Sequence, residues 1–79
     1  MKVLFFAQVR DAAGCGSCDL SVSDPVSMDE LWRLLLARYP RLEACRAQTR
    51  IARNCEFIGP NDLLEDEDEA ALIPPVSGG

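Results

Sequence analysis

Hydrophobic positions at the start of the chain alternate as they do in a β-strand. Residues 2–10, KVLFFAQVR, form a short run rich in valine and phenylalanine, which predicts a strand that is apolar on both faces. Because successive side chains point to opposite faces, Phe6 and Arg10 share one face of this strand. The other face is the predicted core face and holds Val3, Phe5, Ala7 and Val9.

A turn and a second strand follow. Residues 11–17, DAAGCGS, contain Gly14 and Gly16, which are typical of turns. In residues 18–23, CDLSVS, apolar Leu20 and Val22 alternate with polar neighbours, a pattern that favours a half-buried strand. The two strands together predict a hairpin.

The strongest local signal is that of a helix beginning at Met28. Ser27 as N-cap and Glu30 three residues later form a capping box, and Val26 with Leu31 fits the hydrophobic staple. Pro40 ends the helix near Tyr39. One face carries the apolar residues at helical spacing, Met28, Leu31, Trp32, Leu35 and Tyr39.

The second half of the chain has weaker patterns. Residues 51–59 predict two short strands that turn at Asn54 and Cys55, and residues 70–73, AALI, predict a last strand. The segments between are expected to be weakly helical or irregular at 41–50, a turn or single helical turn at 60–64 and a solvated loop at 65–69.

This β-β-α-β-β order, which leaves room for one small extra strand, predicts an α+β fold. Strands flanking one long helix favour a mixed sheet with the helix packed on one face, and the first and last strands can then be parallel neighbours at the centre. This is the outline of a β-grasp, or ubiquitin-like, roll. We expect one domain over residues 1–75 and an extended C-terminal tail over residues 76–79.

Composition and charge narrow the class of protein. The 79 residues are 48% hydrophobic, and eight basic against thirteen acidic residues give a net charge of -5, so nucleic acid is not an expected partner. The N-terminal apolar run is interrupted too early for an export signal or a membrane span. We therefore expect a cytoplasmic protein whose four cysteines are free thiols.

The chain contains no histidine, which removes the usual general base and the commonest metal ligand. No Ser-His or Cys-His pair can form within one chain, so intrinsic catalysis is not expected. The acidic run at residues 65–69 lacks the spacing and the glycine of a calcium loop, and a solvated turn is the favoured interpretation.

The cysteines leave one alternative open. Cys15 and Cys18 have the C-x-x-C spacing of thiol redox and zinc sites, and Cys45 with Cys55 would complete four ligands. The second pair is too widely spaced for a common zinc motif, and the first lies in a predicted hairpin turn. Incidental small residues are favoured over a zinc or redox binding module, and no metal ligand is assigned.

The composition of the C-terminus predicts an extended, slender segment that can enter another protein. Pro74 and Pro75 favour an extended path. The four residues after them, Val76, Ser77, Gly78 and Gly79, are slim or lack a side chain, and at full extension they reach about 13 Å. Such an end can present its terminal carboxylate within a narrow channel.

The two ends of the chain, KVLFFAQVRD and DEDEAALIPPVSGG, resemble the small, sulfur-carrier subunits of molybdopterin synthase, which are ubiquitin-like. The resemblance implies that an ATP-dependent, E1-like activating enzyme adenylates the Gly79 carboxylate and that a sulfur donor protein converts it to a thiocarboxylate. The tail would then insert into the large subunit and give sulfur to cyclic pyranopterin monophosphate in molybdenum cofactor biosynthesis. ATP would be used by the activating enzyme, no cofactor would be bound by this chain, and the complex would hold two small and two large subunits.

The resemblance also implies a binding surface. The family's apolar partner-facing positions fall on Phe6, Phe57 and Ile73, and a basic contact falls on Arg10. The strand pattern independently places Phe6 and Arg10 on one face, although Phe6 and Ile73 could also be ordinary core residues.

Two positions depart from the family pattern. Glu67 stands where a turn glycine is usual, and Ala70 where a valine is usual. A non-glycine residue in a left-handed turn costs about 1–2 kcal/mol, so a different turn geometry is expected at Glu67.

Other functions remain open. A related carrier that delivers sulfur to thiamine or tRNA would need the same tail chemistry and would differ in its partner. A ubiquitin-like modifier would form amide links to lysines.

Overall fold

The computed structural model describes residues 1–75 of the chain. Its helices are α1 (Ala7–Ala13), α2 (Met28–Arg38) and α3 (Glu43–Arg46), with a 3-10 turn at Pro40–Leu42. Its strands are β1 (Lys2–Phe5), β2 (Ser17–Asp19), β3 (Val26–Ser27), β4 (Arg50–Arg53), β5 (Glu56–Phe57), β6 (Leu63–Leu64) and β7 (Glu69–Ile73). Among residues 1–75, no helix has the length and apolar composition needed to cross a membrane.

Five strands form one mixed sheet in the order β2-β1-β7-β4-β5. The central pair, β1 and β7, is parallel, with Lys2 opposite Glu69 and Phe5 opposite Leu72. The other three pairings are antiparallel. The α+β β-grasp prediction, with the first and last strands parallel at the centre, is confirmed.

Helix α2 covers one face of the sheet. It begins as predicted, because the Ser27 hydroxyl accepts a hydrogen bond from the Glu30 backbone N–H at 3.1 Å. Leu31, Trp32 and Leu35 are buried. They pack in one core with the inward side chains of the sheet, Val3, Phe5, Ile51, Ala70 and Leu72.

The first strand is shorter than predicted, because it ends at Phe5 and gives way to helix α1. The Phe6 carbonyl accepts hydrogen bonds from the backbone N–H groups of Val9 and Arg10, at 3.0 and 3.3 Å. Gly14 ends the helix in the left-handed conformation, with φ 81°. Val9 is buried as predicted but from a helix, and the prediction that Ala7 lies on a core face is wrong because it is exposed.

Two further elements differ from prediction. The second strand covers only Ser17–Asp19. Residues 63–64 form a strand instead of a turn, and they pair with β3 in a separate two-stranded sheet, Val26 opposite Leu64. Leu64 is fully buried, so this small sheet closes the core at the start of α2.

The predicted turn at Asn54 and Cys55 is confirmed as a two-residue hairpin loop between β4 and β5. Both residues have positive φ, 50° and 74°, which is the backbone of a type I′ turn. The Asn54 side chain accepts a hydrogen bond from the Glu69 N–H at 3.0 Å and donates one to Asp68 at 3.0 Å. The hairpin is thereby joined to the start of β7.

The acidic run also has structural contacts. The Asp66 carboxylate accepts hydrogen bonds from the Val22 N–H at 3.0 Å and from the Met1 amino group at 3.4 Å, while Asp68 accepts one from the Glu65 N–H at 2.7 Å. Glu67 is not among the residues with positive φ, so the turn has a geometry that needs no glycine there.

We expect Cys55→Gly to stabilise the fold. An L-residue in the left-handed region costs about 1–2 kcal/mol, and glycine removes this cost. About half of the gain is offset because glycine loses more chain entropy on folding. The free energy of unfolding in urea should therefore rise by about 0.5–1 kcal/mol. Cys55→Ala is the matched control because it keeps the Cβ, and equal stability of the two variants would contradict the strained turn.

Asp66 should make stability depend on pH. The Val22 N–H, and after it the Met1 ammonium, hold the pKa of Asp66 below its ordinary value of 3.8. A carboxyl with a lowered pKa stabilises the fold above the unfolded pKa, and this contribution is lost as the pH falls through the folded pKa.

Asp66→Asn should therefore be less stable than the unsubstituted chain at pH 7, and the difference should shrink below about pH 4. Urea unfolding at both pH values measures this. Glu67→Gln removes a neighbouring exposed charge and serves as control; an equal effect of both substitutions at pH 7 would show that net charge alone is responsible.

Candidate functional site

The face of the sheet opposite α2 is the candidate functional surface. In β7, Ala70 and Leu72 face the core, so Ala71 and Ile73 point outward. The buried side chains of the helices and of the 3-10 turn all belong to the core on the other face, and they are Val9, Leu31, Trp32, Leu35 and Leu42. An outward apolar surface on the central strands of a sheet is a candidate site for another protein.

Strand register builds this surface from apolar residues. Across the sheet, one row consists of Phe57 opposite Ala52, Ala52 opposite Ala71, and Ala71 opposite Leu4. In the adjacent row Arg50 lies opposite Ile73, and Phe6 follows directly after Phe5, the partner of Leu72. We call this surface the outward patch; its members are Leu4, Phe6, Arg50, Ala52, Phe57, Ala71 and Ile73, of which Ala52 is itself buried.

The three predicted apolar partner-facing residues all lie on the outward patch. Phe6 is 46% exposed and Phe57 is 52% exposed, while Ile73 is half-buried. Large exposed aromatic side chains grouped on one face mark an interaction surface. The alternative that Phe6 is an ordinary core residue is therefore wrong.

Arg10 does not share a strand face with Phe6, so that part of the sequence interpretation is wrong. It lies in the last turn of α1 and is exposed. Its side chain passes over Gly16, where an added Cβ would lie 3.7 Å from the Arg10 Nε. Arg10 is thus placed beside the connection between α1 and β2.

Arg50 was not predicted from the sequence. Its guanidinium carbon lies 3.9 Å from the centre of the Phe57 ring, a cation–π contact that holds a positive charge over an exposed aromatic face. The alternation of side chains along β4 could have predicted this contact. Arg50 is two residues before Ala52 and shares its face, and the hairpin turn places Phe57 opposite Ala52.

The outward patch adjoins the point where the chain leaves the sheet. Ile73 ends β7, and Pro74 and Pro75 follow it. Prolines lack an N–H, so the hydrogen-bonded ladder cannot continue through them. They border a cleft of about 90 Å³ whose other lining residues are Gln8, Ala44, Cys45, Gln48 and Thr49.

The predicted tail residues Val76, Ser77, Gly78 and Gly79 lie outside the described residues. Sequence alone thus supports their assignment. The structure of residues 1–75 gives the point where the chain leaves the sheet toward these residues, at the end of the central strand β7 and beside Arg50 and Ile73.

The four cysteines are not brought together. Cys15 contacts Tyr39, the Cys45 sulfur lies 4.0 Å from the Gln8 carbonyl oxygen, and Cys55 is exposed in the hairpin turn. Within residues 1–75, no three His, Cys, Asp or Glu residues are grouped to hold a metal ion. The four-cysteine zinc alternative therefore gains no support from this part of the chain.

Comparison with known proteins gives matches over the whole chain. The model of the ThiS family matches residues 3–79. The molybdopterin synthase sulfur carrier subunit of Chlamydomonas reinhardtii is 36% identical over 81 residues, covering 100% of this chain and 98% of that protein. The human protein of the same name is 34% identical over 82 residues, covering 100% of this chain and 93% of that protein.

Solved structures agree with the fold. SAMP1 from Haloferax volcanii superposes with a TM-score of 0.84 at 26% identity, covering 99% of this chain and 97% of that one. A chain from the complex of subunits 1 and 2 of molybdopterin-converting factor from Helicobacter pylori 26695 gives a TM-score of 0.70 at 28% identity, with 99% and 96% covered.

Proposed function

The chain belongs to the ThiS family, and on that basis we propose that it is the sulfur-carrier subunit of a molybdopterin synthase. The observation that carries this proposal is the full-length similarity to relatives named molybdopterin synthase sulfur carrier subunit. The position of the outward patch at the exit of the C-terminus supports it. The protein would act in the cytoplasm.

The proposed chemistry takes place at the Gly79 carboxylate. A carboxylate is a poor electrophile until one oxygen becomes a leaving group, so an E1-like activating enzyme would transfer AMP from ATP to it and release pyrophosphate. Sulfide-level sulfur from a sulfur donor protein would then attack the carbonyl carbon and expel AMP, which leaves a thiocarboxylate. The thiocarboxylate would give its sulfur to cyclic pyranopterin monophosphate, and two of these sulfur transfers would build the dithiolene of molybdopterin.

The catalytic groups would belong to the large subunit. This chain contains no histidine, so it lacks the commonest general acid or base. This chain would bind the large subunit and present the Gly79 carboxylate to it, because Val76, Ser77 and Gly78 would carry Gly79 into the partner's active site. Two small and two large subunits would form the complex.

The outward patch would bind the large subunit. Phe6, Phe57 and Ile73 supply apolar area, and exposed aromatic side chains are frequent hot spots of interfaces. Arg50 adds a positive charge stacked on Phe57, and Arg10 adds a second one on α1. The Helicobacter pylori neighbour, described as a complex of subunits 1 and 2, supports a partner of this kind.

A protein modifier is the second candidate. Structural neighbours named small archaeal modifier protein 1, one of them from Methanosarcina acetivorans at 28% identity and a TM-score of 0.75, favour it. A modifier would join Gly79 to lysine amines through an amide bond, and a search for Gly-Gly adducts on other proteins tests this. Carriers for thiamine or tRNA thiolation are separated by capture of thiazole synthase or the tRNA-thiolating enzyme instead of the large subunit.

Sulfur loading of the terminus tests the proposed chemistry. After incubation with the activating enzyme, ATP and a sulfur source, the intact mass should rise by the difference between one sulfur and one oxygen atom. Deletion of Gly79 is the control and should abolish the mass change. An unchanged mass of the full chain, or molybdopterin synthesis that persists without Gly79, would contradict the proposal.

Substitution of Phe57 tests the interface. Phe57→Ala should weaken binding to the large subunit at least about tenfold, about 1.4 kcal/mol, as expected for an aromatic hot spot. Calorimetric titration measures this, and the free energy of unfolding should change little because the side chain is exposed.

Leu63→Ala is the matched control for Phe57→Ala. Leu63 is 50% exposed but belongs to the separate β3–β6 sheet, so its truncation should leave binding to the large subunit unchanged. If both variants bind equally well, the outward patch is not the interface.

A further inference from the structure

Cys15 and Cys18 both pack on the core side of the sheet, at its β2 edge. Cys18 lies opposite Val3 in the β1–β2 pairing, and directly opposed residues point to the same face. Both cysteines are partly buried against the core, and the chain bends at Cys15 and Gly16 between α1 and β2. The two thiols are therefore directed to the same region, the end of α2.

Tyr39 and Arg38, at the end of α2, contact the segment that carries the two cysteines. The Cys15 Sγ and the Tyr39 Oη lie 3.8 Å apart, within hydrogen-bond reach of each other. Arg38, the residue before Tyr39, donates to the carbonyl of Asp19, the residue after Cys18. The contact with Cys15, followed by burial and by Cys18, raises the pKa of Tyr39 to about 12. Tyr39 itself is fixed by an edge-on contact with Phe5, with ring centres 5.5 Å apart.

A cleft with two arginines on its wall opens next to the segment that leads into Cys15. Its volume is about 280 Å³, and its lining includes Gly14, the residue before Cys15, together with Tyr39, Arg38 and Arg41. Asp11 is the acidic residue on its wall. The Arg38 guanidinium lies 5.5 Å from the centre of the Tyr39 ring and donates to the Asp19 carbonyl at 2.7 Å. Because the wall of the cleft carries two arginines and one aspartate, its net charge is positive, and this favours a small anionic reagent.

From this arrangement we propose that Cys15 and Cys18 are a redox-active dithiol that a small anionic disulfide, such as oxidised glutathione, converts to an intramolecular disulfide. Cys15, as thiolate, attacks one sulfur of the glutathione disulfide, which forms a mixed disulfide and releases one glutathione. Cys18 then loses its proton and attacks the Cys15 sulfur, which releases the second. The two protein thiols lose two electrons, and their two protons end on the two glutathione thiols.

The environment assigns the order of attack. Cys15 lies in a bend outside the strands, whereas Cys18 is held in β2 opposite Val3, and burial raises the pKa of Cys18 against the opposing effects of Tyr39 and Arg38. Cys15 is therefore assigned as the attacking thiol and Cys18 as the resolving thiol. Cys45 and Cys55 lie elsewhere on the fold and are internal controls. The reaction does not depend on the C-terminus, so it stands or fails separately from the sulfur-carrier proposal.

Thiol counting tests the dithiol. The full-length reduced protein is equilibrated in mixtures of reduced and oxidised glutathione, alkylated in acid-quenched samples and analysed by intact mass and peptide mapping. Alkylation should fall from four sites to two in a single transition, with both remaining labels on Cys45 and Cys55. Four labels at every ratio, stable glutathione on Cys15 in the unsubstituted protein, or a bond to Cys45 or Cys55 would overturn the proposal.

Three variants sharpen the test. Cys18→Ser should stop at a mixed disulfide on Cys15, whereas a Cys45→Ser, Cys55→Ser double variant should close as before. Tyr39→Phe removes the hydroxyl that contacts the reduced Cys15 thiol, so closure should be favoured about three- to tenfold. A double variant that fails to close, or a Tyr39→Phe variant that closes less readily, would overturn the assigned site.

Discussion

The parallel pairing of β1 with β7 is the contact on which the rest of the structure depends. It joins the two ends of the domain, so nearly the whole chain must be looped between the partners, at an entropic cost that grows with loop length. Each partner then accepts one further strand, β2 on β1 and β4 on β7. The inward residues of the pair, Val3, Phe5, Ala70 and Leu72, are all buried, and α2 covers them.

The same pairing determines the outward patch. Because Phe5 and Leu72 face inward opposite one another, Ile73 and Ala71 must face outward on β7, and Leu4 must face outward on β1. The side chains that hold the domain together and those that we propose bind the partner therefore alternate along the same strands. A change of register by one residue would exchange the two sets.

Local sequence patterns predicted the structure correctly where a single short-range interaction determines it. Ser27 and Glu30 predicted the start of α2 because an N-cap hydrogen bond is made within four residues, and Asn54 predicted a turn because it tolerates positive φ. The first strand was overextended because Val9 fits both a strand and a helix pattern. Gly14, after Ala12 and Ala13, was the signal of a helix end that identifies α1.

Features that depend on distant contacts were not predictable from one sequence. Strand β6 has two residues, too few for a periodic pattern, and it forms only because β3 lies beside it. The patch residues Phe6, Phe57 and Ile73 were assigned from a resemblance, and only strand register brings them onto one surface. Arg50 was missed for the same reason, since its contact with Phe57 crosses a hairpin.

The central position of β7 also has a mechanical consequence. A protein that grips the end of the chain and pulls along it applies force parallel to β7, which is held by β1 on one side and β4 on the other. The hydrogen bonds between strands run across that direction, so they are loaded together in shear and cannot be opened one at a time. A tail drawn into a partner in the way that we propose would therefore pull on a strand that is held on both sides, and the domain behind it would stay folded.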